Sequence, residues 1–159
     1  VHHQVTLAMV RTSITRAVIA AAVVAGTPEV ARADCFITTE GVAFGIYDVF
    51  ATSPNDSIGT VRYRCNSRAN VTIELDRGSA PTFATRRMSR GPERLFFNLF
   101  TDAARTRVWG NGTGGTGVYR RVNVPLNQNI NLPVFGRIPA GQDVRGGQYA
   151  ETITAIINF

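Results

Sequence analysis

From Cys35 onward the chain alternates apolar and polar positions in short runs, and none of these runs keeps a helical period. Val61, Tyr63 and Cys65 alternate with Arg62 and Arg64 inside Ile58 to Cys65, so one face turns to a core and the other to water. Val71, Ile73 and Leu75 repeat the pattern after Asn66-Ser67, which predicts an antiparallel pair with the preceding run. Further strands are predicted over Cys35 to Thr39, Gly41 to Asp48, Leu95 to Phe100, Val118 to Leu126 and Ile130 to Ile138. The last run, Gly147 to Phe159, places Tyr149, Ile153, Ala155, Ile157 and Phe159 on one face, with Ile156 out of step. If no strand covers its outer side, that edge needs a cap, because an open edge pairs with other chains.

Gly, Pro, Asn and Asp punctuate these runs. Ser53-Pro54-Asn55-Asp56 and Pro139-Ala140-Gly141-Gln142 read as turns, and Asp76 to Pro92 is looser, with Phe83 and Met88 as its core plugs. Gly110 to Gly117 resembles a phosphate cradle only superficially: no Lys-Ser or Lys-Thr follows it and no strand-to-helix context surrounds it, so it reads as a flexible loop. About seven or eight short strands joined in this way predict an all-β fold, an immunoglobulin-like β-sandwich.

The first fifth is different in kind. Arg11 and Arg16 precede an apolar run, Ala17 to Ala25, and Ala31-Arg32-Ala33 has the small-x-small form that signal peptidase accepts. The run is well short of the roughly 20 residues of a membrane span. Residues 1–33 are therefore expected to be a Sec signal peptide, more compact if translation starts at Met9, leaving a domain over 34–159. Both cysteines, Cys35 and Cys65, fall in the exported part, where a disulfide is expected. The rival reading, a lipid-anchored Cys35, is disfavoured by Asp34 directly before it.

Charge adds little to this picture. All seventeen basic residues are arginine, and fourteen of them lie in 34–159 against ten Asp plus Glu. Arg86, Arg87, Arg90 and Arg94 cluster in a predicted loop and, with Arg62 and Arg64, read as a solvated surface. No aromatic residues interleave with them as nucleic-acid stacking would require, so no specific nucleic-acid partner is expected. The only histidines are His2 and His3, which removes the usual general base and metal ligand from 34–159. A carboxylate pair such as Asp102 and Asp143 remains, but no spacing selects it. No enzyme, cofactor or metal is expected.

Cys35, Val42-Ala43-Phe44-Gly45-Ile46-Tyr47, Gly59 through Cys65, Leu95 through Asp102, Val108-Trp109-Gly110, Val134 through Ala140 and Gly147-Gln148-Tyr149 occur in this order. In them the chain resembles the spore coat protein U domain family. The resemblance implies a subunit of an archaic chaperone-usher pilus: exported, bridged by one disulfide, and folded as an incomplete sandwich that lacks its last strand. Its implied partners are a periplasmic chaperone, an outer-membrane usher and other pilus subunits, with final location at the cell surface. Ile153, Ala155, Ile157 and Phe159 would floor the strand-acceptor groove, and the Phe159 carboxylate would anchor basic residues of the chaperone. Cleavage after Ala33 would leave only Asp34 ahead of Cys35, and Gly26 to Ala33 is itself a poor strand, so the subunit is expected to accept a strand and not to donate one. The alternative expectation is a free-standing secreted β-sandwich that binds extracellular matrix polymers or surfaces.

Overall fold

The computed structural model describes residues 2–7 and 34–159; the apolar run and the cleavage pattern of the expected signal peptide lie outside the described residues. Ten strands occur: β1 (His2–Leu7), β2 (Cys35–Glu40), β3 (Asn55–Cys65), β4 (Val71–Leu75), β5 (Arg87–Arg90), β6 (Glu93–Phe96), β7 (Asn98–Phe100), β8 (Tyr119–Arg121), β9 (Ile130–Ile138) and β10 (Ile153–Asn158). One sheet has the order β1-β10-β4-β8, the other β2-β3-β9-β7, and β5-β6 is a separate hairpin. Every strand pairing is antiparallel. The inward sets Val61, Tyr63 and Cys65 of β3, Val71, Ile73 and Leu75 of β4, and Ile153, Ala155 and Ile157 of β10 meet in one core between the sheets. The all-β sandwich follows from the period-two patterning as expected.

The expected pairing of β3 with β4 is wrong. β3 lies between β2 and β9, whereas β4 lies between β10 and β8 in the opposite sheet. Residues 66–70 carry the chain across the core instead of turning a hairpin, and Asn66 N–H bonds back to the Asp34 carbonyl at 2.9 Å. Cys35 and Cys65 stand opposite each other on β2 and β3 and are bridged. Closing a loop with a sequence separation of 30 is worth about 3.5 kcal/mol in the chain-entropy account.

Three predicted strands are shorter or absent. Gly41 to Asp48 forms no ladder: β3 side chains take its carbonyls, with Ser57 Oγ donating to Ala43 O at 2.6 Å and Asn55 Nδ2 donating to Phe44 O and Ile46 O at 3.1 and 2.9 Å. This segment lies on the β3-β9 surface, where a Cβ on Gly136 would stand 2.6 Å from Val42 and 2.7 Å from Phe44, so only glycine admits the approach. Val118 to Leu126 is cut to three strand residues, with Asn123 in the left-handed region at φ 51°. In the last run, Ala150 bridges Ser89 of the hairpin, and the strand begins only at Ile153.

Leu95 to Phe100 is divided at Phe97, whose N–H bonds to the Arg86 carbonyl at 3.0 Å; β6 belongs to the hairpin and β7 to the sheet edge beside β9. Arg86 is not on a surface loop. It is fully buried, and its Nη2 donates to Asp76 O at 2.6 Å, Trp109 O at 2.7 Å and Leu75 O at 3.3 Å. Nε also reaches Asp76 O at 3.0 Å, Nη1 reaches Asn98 Oδ1 at 3.1 Å, and the guanidinium stands 5.3 Å from the Phe83 ring centre. Burial pulls this guanidinium down to about 10. A single cation thus ties the end of β4, the β6-β7 break and the Trp109 loop together.

Outside the core, Asp56 on β3 faces Arg137 on β9 in register and accepts from its Nε at 2.7 Å and Nη2 at 2.8 Å; Arg105 Nε lies 3.3 Å away. The Arg137 hydrogen bond, aided by the charges of Arg105 and Arg137, holds the carboxyl below its usual range despite partial desolvation. With the folded value depressed, the contribution is complete above the unfolded value near 3.9 and is lost as pH falls through the folded one. Asp56→Asn is expected to lower stability by about 0.5–1 kcal/mol at neutral pH, with the gap to the parent narrowing as pH falls through the depressed folded value; urea unfolding at neutral and acid pH checks this.

Candidate functional site

The residues expected to floor a strand-acceptor groove lie on β10 and just after it. Ile153, Ala155 and Ile157 are buried, at 3%, 0% and 0% exposure, while Phe159 is half-buried and packs against the same core. On the inner side of the sheet β10 pairs with β4, from Ala155↔Leu75 to Asn158↔Thr72. The Thr154 carbonyl accepts from Asp76 N–H at 2.9 Å, and Thr154 N–H donates to Asp76 Oδ1 at 2.9 Å. Backbone groups alternate sides along a strand, so Thr154, Ile156 and Asn158 face β4, whereas Ile153, Ala155 and Ile157 turn their N–H and C=O to the other side.

That other side is taken by β1. The segment His2–Leu7 runs antiparallel to β10 from His2↔Asn158 to Leu7↔Ile153, and it also lies alongside β2. It therefore fills the gap between the last strand of one sheet and the first strand of the other. The sequence pattern gave no sign of this strand, because six residues ahead of a signal-peptide-like run read as part of a leader. Of the four residues expected to floor a groove, Ile153, Ala155 and Ile157 lie on the stretch paired with residues 2–7, and Phe159 packs on the same core just beyond it.

Beyond Ile153 two hollows open among the described residues. A recess of about 90 Å³ is walled by Val42, Phe44, Phe97, Leu99 and Ile153, and a wider cleft of about 890 Å³ runs on between residues 42–50 and 144–149. Ile46 and Phe50 on its rim are 94% and 89% exposed. The recess is of side-chain size and mostly apolar, with Met88 and Glu151 also on its lining.

Acid-base chemistry is thinly supplied. No group of three or more His, Cys, Asp or Glu among the described residues could hold a metal, and both cysteines are in the disulfide. Asp102 is committed to its own turn: it accepts from Thr106 N–H at 2.9 Å and Arg107 N–H at 2.8 Å, and these bonds hold it below the usual carboxylate range. No helix among the described residues is long and apolar enough to cross a membrane.

The Spore Coat Protein U domain profile matches residues 20–156. Protein U of Myxococcus xanthus is 30% identical over 126 residues, a match covering 74% of this chain and 64% of that protein. Among solved structures, a chain of the CsuC-CsuE chaperone-tip adhesion subunit pre-assembly complex, from the archaic chaperone-usher Csu pili of Acinetobacter baumannii, superposes with a TM-score of 0.55. That match has 23% identity and covers 80% of this chain but only 40% of the other, so it speaks to the fold.

Proposed function

The chain belongs to the Spore Coat Protein U domain family, and from that premise we propose that it is an exported subunit of a chaperone-usher surface fibre that accepts a β-strand along β10. The observation that carries the proposal is the pairing of β10 with His2–Leu7, a segment that the expected signal cleavage after Ala33 would remove. Removal would uncover the Ile153, Ala155 and Ile157 backbone and open the core between β10 and β2. A strand supplied first by a periplasmic chaperone and then by a neighbouring subunit would close it again. The usher, the neighbouring subunits and the location at the cell surface follow from this reading.

A test must separate binding at the edge from packing of the core. Ala155 offers one, since its N–H faces the incoming strand and not β4. Proline is tolerated on an edge strand where its missing donor faces outward. Ala155→Pro is expected to leave the β4 ladder in place and to weaken recovery of a complex with a co-expressed periplasmic chaperone at least about tenfold, as losing one strand hydrogen bond and its register would. Undiminished recovery in a pull-down would count against the proposal.

A second reading rests on the same pairing. If residues 2–7 stay attached in the exported protein, β1 completes the sheet from within, and the domain is a free-standing secreted binding module. N-terminal sequencing of exported protein separates the two: a start at Asp34 favours the acceptor, and a start that retains His2–Leu7 favours the self-completed domain.

A further inference from the structure

A second cleft, of about 570 Å³, opens between residues 77–84 and 106–116, and its lining contains no carboxylate among the described residues. Its polar wall is made of donors. Arg77 uses Nη1 to hold the Pro81 carbonyl at 2.5 Å, and Nε and Nη2 make no other bond among the described residues. Asn111 Oδ1 accepts from Thr113 N–H at 3.1 Å and Thr113 Oγ1 at 2.7 Å, which leaves its Nδ2 donor for a ligand. Gly114 and Gly115 sit at φ 58° and 79°, and their N–H groups make no hydrogen bond among the described residues.

This loop is not the open, flexible connection its glycines predict. Thr116 is buried, with its Oγ1 donating to Thr113 O at 2.7 Å and accepting from Gly112 N–H at 3.1 Å, and the Gly110 N–H binds Gly117 O at 2.8 Å. The loop that carries Asn111, Gly114 and Gly115 is therefore braced before any ligand arrives, which lowers the entropy lost on binding. Pro81, Val108 and the half-buried ring of Phe83 add apolar surface to the same cleft.

A guanidinium, a side-chain amide and two backbone amides lining one cleft with an aromatic ring suit a ligand that joins negative charge to an apolar-faced ring, and the volume is that of a small-molecule site. We propose that this cleft binds a carboxylate-bearing sugar unit, with Arg77 and the Gly114 and Gly115 amides on the carboxylate and Phe83 against the ring. The site shares no lining residue with the β10 groove, so the proposal stands or falls apart from strand acceptance.

The test is a titration of the purified protein with trigalacturonic acid, its methyl ester and acetate, followed by amide NMR. The acid is expected to shift the Gly114 and Gly115 amides saturably, the ester to bind at least about tenfold more weakly, and acetate to bind more weakly still. Arg77→Gln, which keeps a donor for the Pro81 carbonyl but no charge, is expected to weaken the acid about tenfold or more. Absence of a saturable shift, equal binding of acid and ester, acetate matching the trisaccharide, or full affinity in Arg77→Gln would each overturn the proposal.

Discussion

Replacing Arg86 with leucine is expected to lower the unfolding free energy by about 2–4 kcal/mol. The side chain donates to the carbonyls of Leu75, Asp76 and Trp109 and to Asn98 Oδ1, and it is fully buried. Leucine would take this donor from the three carbonyls, whereas Asn98 Oδ1 keeps the Leu99 N–H at 3.0 Å, and each buried unsatisfied group costs about 1–3 kcal/mol. The loss is smaller than their sum because the variant no longer has to bury a cation, an unfavourable term visible in the guanidinium held down to about 10. Arg86→Lys should recover little, since one ammonium cannot span acceptors on three segments. Urea unfolding with an unchanged m-value checks this; a loss under 1 kcal/mol would mean that the three segments hold together without the arginine.

Ile157→Asp is expected to cost about 4 kcal/mol or more and to abolish recovery of any chaperone complex. Ile157 is fully buried in the core, so the change removes a packed side chain and places a carboxylate in its stead. Burial would raise the folded value of that carboxyl, so the damage should be greatest at neutral pH and ease as pH falls through the raised value. Secretion and unfolding measured from neutral pH down to about pH 5 test this, and an exported protein with parental stability would remove Ile157 from the core. Because this variant fails through the fold as well as the edge, Ala155→Pro is the sharper probe of the interface.

The strands that were legible in the sequence are those with one face in the core. β3, β4, β9 and β10 each show the buried alternation that their apolar positions announce. Their partners were not legible, because alternation says which face is inward and not which sheet a strand joins; β3 and β4 therefore looked like a hairpin although they lie in different sheets. Residues 41–48 alternate too, yet side chains of Asn55 and Ser57 take the carbonyls a ladder would need. Arg86 carries no local mark of burial, since its partners come from positions ten or more residues away. At the candidate site, period two put Ile153, Ala155, Ile157 and Phe159 on one apolar face, and only the family resemblance gave that face a role. The strand that covers them was not, because it lies ahead of a long intervening segment and its own pattern is indistinct.

The most direct measurement is amide hydrogen exchange at Ile153, Ala155 and Ile157 in exported protein whose first residue has been determined, alone and bound to its co-expressed chaperone. Protein that starts at Asp34 is expected to exchange fast at these three amides when alone, while Thr154, Ile156 and Asn158 stay protected by β4, and to become protected at all six in a one-to-one complex. Slow exchange at Ile153, Ala155 and Ile157 in a stable, chaperone-free monomer starting at Asp34 would contradict the account.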